Sequence, residues 1–364
     1  MSKINIILLF LIWRILLFLV AFISPIIIPH FGAKFPYFNE RLISSGLPHF
    51  IWSFGNFDGV HYLGIAKDAY AYQFTQVFFP VYPILIRAVS IFTFGNLLIS
   101  ALLVSNTAFL FALLVFHKLV QETFDRKIAF WSLLFLLAFP TSFFFGSIYT
   151  EGLFFLEIIG AFYLFSKKKI LLGSVVGAIA SATRLIGLLL SPSFYFGKNK
   201  KSPLPLLIVP LGFLSYVIYL QIKFNNPLYF LSAQSVFGQE RSAQNIILFP
   251  QVAFRYLKIL TTTSGASFFT ALFELTATIF AFGIIFIYFK KIPRDWAVFS
   301  VCAILIPTLT GTLISMPRYI LVAFPIYVGL ALIKSDLLKI AILAIFLALL
   351  LISTIRFTQG YWVA

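Results

Sequence analysis

The sequence predicts an all-α protein that crosses a membrane many times, as its composition and its runs of apolar residues both indicate. Hydrophobic residues make up 61% of the 364 positions and charged residues only 10%, whereas a soluble protein carries about 25% charged residues. Apolar runs of about 20 residues, long enough to cross a bilayer as a helix, recur along the chain. Alternating strands of about ten residues, typical of a membrane barrel, are absent.

The apolar runs predict a polytopic membrane protein of about 11 transmembrane helices in one domain, residues 1–364. The first run, residues 4–28, is too long for a signal-peptide core and predicts an uncleaved span. A polar stretch follows at 29–95, and its part at 78–94 predicts an interfacial or re-entrant helix. The other predicted spans are 97–116, 128–145, 152–165, two short helices within 170–196, 204–222, 261–289, 296–314, 319–333 and 337–355.

The positions of the cations predict the orientation of these spans. Lysine and arginine concentrate in short loops that fall on one side, including 117–127, 167–169, 198–201 and 290–294, and such loops face the cytoplasm. The N-terminus is then cytoplasmic in a cell inner (plasma) membrane. Two long polar loops, 29–95 and 223–258, are extracytoplasmic, and the first of them is expected to carry juxtamembrane helices. The turns at Glu151, Arg184 and Arg318 share that outer face.

Several classes of function are excluded by what the sequence lacks. The formal charge of +16 follows from the cytoplasmic loops, so no nucleic-acid partner is predicted. A single cysteine, Cys302, rules out a disulfide framework and a cysteine metal site. Nucleotide-binding loops and hydrolase motifs are absent. An enzyme on the outer face therefore needs a substrate activated elsewhere and delivered in the membrane, a requirement that a polyprenyl-phosphate sugar meets.

The first polar loop contains the main catalytic candidate, Asp58, which lies between Gly55 and Gly59, where backbone can approach a ligand closely. Its carboxylate could act as a general base or cap the helix that follows. His61 shares the same helical face and either bonds Asp58 or a substrate hydroxyl, or has no role. Asp68, near the same face, is expected to be solvated.

Three further charged residues lie at apolar turns on the outer face. Arg184 and Arg318 could bind phosphate oxygens or anchor the chain at the lipid headgroups. Glu151 could hold a metal, orient a sugar hydroxyl or cap its helix. A divalent metal stays open, but it is not supported by a clear ligand set, since Glu151 and His61 alone do not form one. No other cofactor is indicated.

Buried charges and aromatic runs complete the set of candidates. Arg14, Glu157 and Glu274 fall within predicted spans, and the expected arrangement is an ion pair between Arg14 and a carboxylate. The aromatic runs QVFFPVYP and FPTSFFFGSIY lie near the predicted outer cavity. They could line a groove for an isoprenoid tail.

The segments FDGVHYLGIAKDAY and FFPVYPILIR resemble the PIG-V family of GPI mannosyltransferases and their bacterial relatives, within the GT-C membrane glycosyltransferases. FPTSFFFGSIYTEGLFFL, SATRLIGLLL, SMPRYILVAFPIY and GYWVA match in the same order. The resemblance implies a GT-C fold, a lipid-linked mannose donor and inversion at the sugar carbon. It maps the family's acidic catalytic position onto Asp58, and the arginines of its TR-x-x-G and PRY segments onto Arg184 and Arg318.

Two positions depart from the family pattern, namely Phe57, where tryptophan is usual, and the apolar pair Leu185 and Ile186. The predicted function is an inverting glycosyltransferase, a mannosyltransferase that uses a polyprenyl-phosphate donor and a glycan, lipid or protein acceptor. The alternatives are a transporter of lipid-linked sugars and a structural subunit of a larger transferase. Asp58 is the predicted catalytic residue, and the predicted substrate-binding residues are His61, Tyr62, Tyr82, Glu151, Arg184 and Arg318.

Overall fold

The computed structural model describes residues 3–197, 202–234 and 246–363, and within these ranges the chain forms helices and no strand. The predicted all-α class is therefore confirmed. The lysine cluster predicted to face the cytoplasm at 198–201 and the middle of the predicted loop 223–258 lie outside the described residues.

Ten α-helices precede residue 197. They are α1 (Lys3–Ile27), α2 (Phe38–Arg41), α3 (His49–Trp52), α4 (Asp58–Asp68), α5 (Val81–Ser90), α6 (Leu97–Thr123), α7 (Arg126–Ala138), α8 (Glu151–Ser166), α9 (Ile170–Thr183) and α10 (Leu190–Tyr195).

Eight more are described after residue 202. They are α11 (Leu204–Phe224), α12 (Tyr229–Gln234), α13 (Phe249–Thr262), α14 (Gly265–Tyr288), α15 (Arg294–Thr308), α16 (Met316–Tyr319), α17 (Pro325–Ala331) and α18 (Asp336–Thr358).

Five of the described helices, α1, α6, α11, α14 and α18, are long and apolar enough to cross a membrane. The shortest of them has 21 residues, which at 1.5 Å per residue spans about 30 Å, the thickness of the hydrocarbon core. In α1, Leu8, Ile12 and Leu19 are exposed, while Trp13 and Leu17 are buried. One face of this helix is thus available to lipid and the other packs on the bundle, as expected for a polytopic membrane protein.

The centre of the bundle is formed by α6, α8 and α9, with α11 packed along α9. Small residues permit these close approaches. Gly212 of α11 lies against α9, where Ser181 accepts a hydrogen bond from the amide of Phe213 and donates one to the carbonyl of Val209. The aromatic rings of Phe109 and Phe145 stack at 4.3 Å between α6 and the segment that precedes α8.

Two predicted interruptions of the spans are confirmed. α5 has ten residues, about 15 Å of helix, which is too short to cross a bilayer. α9 ends at Thr183, and Arg184 has extended dihedrals of φ −153° and ψ 144°. A short 3₁₀ turn, Leu185–Leu189, and α10 follow, so residues 170–196 form two short helices that turn at Arg184.

The predicted span at 319–333 is wrong as a single transmembrane helix. The chain there consists of the end of α16, a 3₁₀ turn at Ile320–Val322 and the seven-residue α17. Ile320, Leu321, Phe324 and Tyr327 have no exposed surface. Apolar composition predicts burial in lipid and burial in protein equally well, and this segment is buried in protein.

The expected ion pair between Arg14 and a carboxylate is also wrong. The guanidinium of Arg14 lies 4.0 Å from the ring centre of Phe18 and 4.3 Å from that of Phe54. Of the described carboxylates, none approaches it within 4.0 Å. Aromatic faces, which attract cations, replace the expected counter-ion.

Gly212 provides a test of how tightly α9 and α11 must pack. A β-carbon at this position would lie 1.7 Å from the carbonyl oxygen of Ala178. Gly212→Ala should therefore force the helices apart and lower the free energy of unfolding by about 1–3 kcal/mol, as overpacking does. Thermal unfolding of the purified protein in detergent measures the change.

The matched control for Gly212 is Gly283 in α14, where an added β-carbon meets no atom within 4 Å. Gly283→Ala should leave the unfolding temperature unchanged or slightly higher, because alanine favours helix. Equal losses in the two variants would contradict the proposed close contact between α9 and α11.

Candidate active site

Four charged side chains from four distant segments meet at one end of the bundle. Arg318 Nη1 donates to Asp58 Oδ2 at 2.7 Å, and Arg318 Nε lies 3.5 Å from Glu151 Oε1. Arg184 Nη1 donates to the same Glu151 oxygen at 2.8 Å. Together, Asp58, Arg318, Glu151 and Arg184 form one continuous ionic chain, in which two positive charges balance two negative ones.

Each of the four residues lies at the end of a helix. Asp58 and Glu151 are the first residues of α4 and α8, Arg184 directly follows α9, and Arg318 lies in the last turn of α16. Carboxylates are stabilised at helix N-termini and cations at C-termini. The ends of four helices therefore place these charges where the helix dipoles favour them.

Glu151 is the most buried member of the ionic chain, with 2% of its side chain exposed, against 19% for Asp58. Its place depends on Gly152, where a β-carbon would lie 2.6 Å from the carbonyl oxygen of Phe145 and 2.8 Å from that of Ser105. The missing side chain lets the start of α8 press against α6. Glu151 bridges two arginines, a role that was not among the three considered from the sequence.

The position of Asp58 is set by its neighbours in the chain. The Asp58 amide donates to the Tyr149 hydroxyl at 3.3 Å, and that hydroxyl donates to the carbonyl of Asn56 at 3.0 Å. Phe57, between them, has a positive φ of 59° with ψ −115°, a strained conformation for a residue with a side chain. Asp58 begins α4, but Phe57 occupies the N-cap position, so the N-cap interpretation of Asp58 is wrong.

The two glycines that flank Asp58 serve packing. A β-carbon on Gly55 would lie 3.1 Å from the Cδ1 of Ile148, and one on Gly59 would lie 3.4 Å from its Cβ. The backbone of this loop thus packs closely on the segment before α8.

The arginines also lie over aromatic rings. Arg318 is 5.3 Å from the ring centre of Tyr149 and 5.4 Å from that of Tyr319. Arg184 is 5.4 Å from the same Tyr319 ring and 5.5 Å from that of Phe154. Tyr319 therefore lies near both guanidinium groups, and its ring attracts both cations.

Glu157 stabilises the end of α9, directly before Arg184. The Thr183 hydroxyl donates to Glu157 Oε1 at 2.9 Å, and Glu157 is buried within α8. This bond ties the last residue of α9 to α8, the helix that begins with Glu151. The two ends of the Arg184–Glu151 ion pair are thereby held in register.

These charges line a cavity of about 1530 Å³, which is also lined by His61, Tyr62, Tyr149 and Trp362, near the C-terminus. The His61 ring stacks on Phe78 at 5.1 Å between centroids. Five predicted site residues besides Asp58 thus share one cavity: His61, Tyr62, Glu151, Arg184 and Arg318.

The structure does not bring Tyr82 or Asp68 into this cavity. Tyr82 is fully buried, its hydroxyl bonds Ser105 Oγ at 2.7 Å, and its ring supports that of Tyr62 at 5.1 Å. Asp68, at the far end of α4, pairs with Arg41 at 3.2 Å. Its predicted solvation is only partial, with 32% of the side chain exposed.

Burial and charge set the protonation of several groups at the site. Burial raises the pKa of the Tyr62 and Tyr149 hydroxyls, and the nearby carboxylates of Asp58 and Glu151 act in the same direction. Burial lowers the pKa of His61, partly opposed by Asp58. Burial lowers the pKa of Arg318, but the charge of Asp58, together with Tyr319, Glu151 and Tyr149, outweighs burial, so the pKa is raised overall. Tyrosines stay protonated as donors, and Arg318 stays charged.

Sequence reasoning did not single out several cavity residues, among them Tyr319 and Arg255. Tyr319 directly follows Arg318, and that adjacency was the available signal, whereas Tyr149 ends the aromatic run FPTSFFFGSIY that the sequence placed near the cavity. Arg255 lies in a polar segment with other cations, so nothing in the sequence distinguished it. Within the described ranges, no group of three or more His, Cys, Asp or Glu side chains is placed to hold a metal ion.

Comparison with known proteins identifies relatives. A family model described as mannosyltransferase (PIG-V) matches residues 3–201. GPI mannosyltransferase 2 of Drosophila pseudoobscura pseudoobscura is 29% identical over 138 residues, which cover 35% of this chain and 29% of that protein. GPI mannosyltransferase 2 of Cryptococcus neoformans var. neoformans serotype D is 29% identical over 158 residues, or 40% and 36% of the two chains.

The chain thus spans about a third of the length of the curated relatives it matches. No solved structure matches it.

Replacing Glu151 tests whether it holds the two arginines together. Glu151→Gln keeps the shape of the side chain but leaves Arg184 without its counter-ion. We expect unfolding in detergent to become easier by about 3 kcal/mol or more, as when one partner of a buried ion pair is removed.

The control for this variant is Glu122→Gln, which breaks the exposed Lys167–Glu122 pair of 2.9 Å. Surface pairs contribute about 0–1 kcal/mol, so this change should be small. If both variants unfold at the same temperature as the unmodified protein, Glu151 is not the structural bridge described above.

Proposed function

The chain belongs to the mannosyltransferase (PIG-V) family, and from this premise we propose that it transfers mannose from a polyprenyl-phosphate donor to an acceptor hydroxyl. Transfer proceeds with inversion at the anomeric carbon, on the extracytoplasmic face of the bilayer. The acceptor is a glycan, a lipid or a protein. The name GPI mannosyltransferase 2, carried by the relatives, supports the sugar and the reaction class.

The observation that carries this proposal is the contact between Asp58 and Arg318 in the cavity wall. Arg318 holds Oδ2 of Asp58 at 2.7 Å, and 19% of the Asp58 side chain remains exposed. Among the described residues, no hydrogen bond engages Oδ1. An acceptor hydroxyl can therefore donate to Oδ1 while Arg318 fixes the carboxylate plane, the arrangement that a general base needs.

The transfer step moves one negative charge across the cavity. The acceptor oxygen forms its bond to the anomeric carbon, and its proton passes to Asp58. The bond between the anomeric carbon and the phosphate oxygen breaks, and its electron pair stays on the phosphate. Asp58 loses one negative charge as the phosphate gains one, so the total charge of the site is unchanged.

The arginines respond to this movement of charge. In the substrate-free site Arg318 is balanced by Asp58 and Arg184 by Glu151. Once Asp58 is protonated, the positive charge of Arg318 is no longer balanced and can stabilise the phosphate. Donors that are already in place where charge develops act without reorganisation, which is why they lower a reaction barrier.

The proposed orientation places the N-terminus in the cytoplasm and the cavity on the outer face of the plasma membrane. It is supported by the concentration of lysine and arginine in the loops at the opposite ends of the predicted spans. The polyprenyl chain of the donor lies in the bilayer, beside the long apolar helices, five of which fall within the described residues.

Asp58→Asn tests the proposed base. The variant should remain folded but lose transfer by at least about 100-fold, the smallest effect typical of general-base catalysis. The measurement is product formation by the purified protein from labelled polyprenyl-phosphate sugars in the presence of membrane extract.

The control is Asp68→Asn, at the other end of α4 and outside the cavity, which should leave transfer unchanged. Unchanged turnover of Asp58→Asn with a verified donor would rule out the proposed role. Movement of a lipid-linked sugar across vesicle membranes without a new glycosidic bond would indicate a transporter instead.

A further inference from the structure

The cavity has a second polar region, away from the four-residue ionic chain. Arg255 and Tyr256 of α13 line it from one side, and Glu274 of α14 lines it from the other. The loop between α15 and α16 closes it with Thr310 and Thr312. We call this region the Arg255 lobe.

The Arg255 side chain is held in the lobe by a hydrogen bond to a backbone carbonyl rather than by a described counter-ion. Its Nη1 donates to the carbonyl oxygen of Gly311 at 2.8 Å. Within the described part of the chain, no carboxylate lies within 4.0 Å of its guanidinium. The nearest acid of the lobe, Glu274, accepts the Tyr256 hydroxyl at 2.6 Å. Arg255 is an exposed residue, and it thus offers the cavity a positive charge that no described carboxylate balances.

Four arginines line the cavity: Arg184, Arg255, Arg318 and Arg356. Arg184 and Arg318 each form an ion pair in the substrate-free site, and Arg356 lies over the ring of Tyr361, near the C-terminus. An incoming anion must compete with Glu151 or Asp58 for Arg184 and Arg318, whereas no described carboxylate competes with it at Arg255. A guanidinium in a concave site binds phosphate oxygens by paired hydrogen bonds.

The shape of the lobe suits a ligand with an apolar chain. Apart from Glu274, the residues of α14 that line the cavity are small: Ala266, Ser267, Thr270 and Ala271. They belong to a helix long enough to cross the membrane. Ile259 and Ile306 line the same cavity. A lipid chain along this small-residue face would lie beside the bilayer, with its head near Arg255.

The cavity is also larger than the volume that one sugar would fill. At about 1530 Å³ it is larger than the roughly 300–1,000 Å³ of ordinary ligand pockets. It has room for two substrates, or for one with a long chain.

We propose that the Arg255 lobe binds the phosphate of a lipid-borne substrate, with the lipid chain along the small-residue face of α14. This proposal rests on the proposed transfer function. Both a polyprenyl-phosphate donor and a phospholipid-anchored acceptor offer this chemistry. Arg255 holds the phosphate before reaction, and the paired arginines act on the charge that develops during it.

The lobe is connected to the catalytic end through the loop before α16. The Leu313 amide donates to the Tyr256 hydroxyl at 3.0 Å, and Arg255 holds Gly311 in the same loop. This loop leads directly into the helix that carries Arg318. Phosphate bound at Arg255 therefore lies against the element that positions the catalytic arginine.

A binding experiment tests the lobe without requiring catalysis. Purified full-length protein in nanodiscs is titrated with sugar-free polyprenyl phosphate, with phosphatidate and with uncharged polyprenol, and affinities are measured by native mass spectrometry. Arg255→Gln should weaken binding of at least one phosphate lipid by about tenfold, the usual effect of losing a hydrogen bond to a charged group. Polyprenol binding should not change.

Two further variants control the experiment. Lys258→Gln removes a cation from the same helix but outside the cavity and should bind all three lipids as the unmodified protein does. Arg255→Lys keeps the charge and loses the planar fork, and should recover part of the affinity. If Arg255→Gln does not fold, Arg255→Lys still tests the proposal, because its affinity should lie below that of the unmodified protein.

The outcomes separate the two sources of phosphate. Loss confined to polyprenyl phosphate assigns the lobe to the donor, and loss confined to phosphatidate assigns it to the acceptor. In transfer assays the same substrate should show a raised KM with little change in kcat, because uniform binding is lost. Unchanged affinity for both phosphate lipids, or equal loss for polyprenol, would overturn the proposal. Neither result depends on whether Asp58→Asn abolishes transfer.

Discussion

The structure of the site depends on one buried carboxylate, Glu151, placed between two arginines. Arg184 and Arg318 come from segments more than 130 residues apart in sequence, and both lie within 3.5 Å of the same Glu151 oxygen. A buried charge without a partner is costly, so the three side chains stabilise one another in this position. The requirement for mutual neutralisation thus brings together the ends of α8, α9 and α16, and with them the wall of the cavity.

Asp58 extends this network to the surface of the cavity, where chemistry can occur. Because Arg318 contacts both Asp58 and Glu151, any change in the charge of Asp58 is felt directly by a guanidinium that is already in position. The proposed transfer uses that coupling, since charge leaves the carboxylate and arrives on phosphate. Arg255, which lies outside the network and has no described carboxylate against it, is proposed to attract the anionic substrate before reaction.

The fold class could be predicted from the recurring apolar runs, and Arg184 and Arg318 could be singled out because isolated charges stand out in an apolar chain. Asp58 was singled out by its place between two glycines in the first polar loop, and the break of residues 170–196 at Arg184 followed from the flanking lysines. Contacts between distant segments could not be predicted in the same way. The bridging role of Glu151, the packing of Gly55 and Gly59 on Ile148, and the aromatic partners of Arg14 all depend on them. Apolarity likewise could not distinguish the protein-buried segment 319–333 from a lipid-facing span.

The most direct test of single-carboxylate catalysis is the stereochemistry of the product. One carboxylate that acts as a base leads to direct displacement and inversion, whereas retention requires a carboxylate that attacks the anomeric carbon. Purified protein should be supplied with a polyprenyl-phosphate mannose of known anomeric configuration, and the configuration of the new linkage determined by NMR. We expect the opposite configuration from that of the donor. A product with the donor's configuration would contradict the proposed role of Asp58.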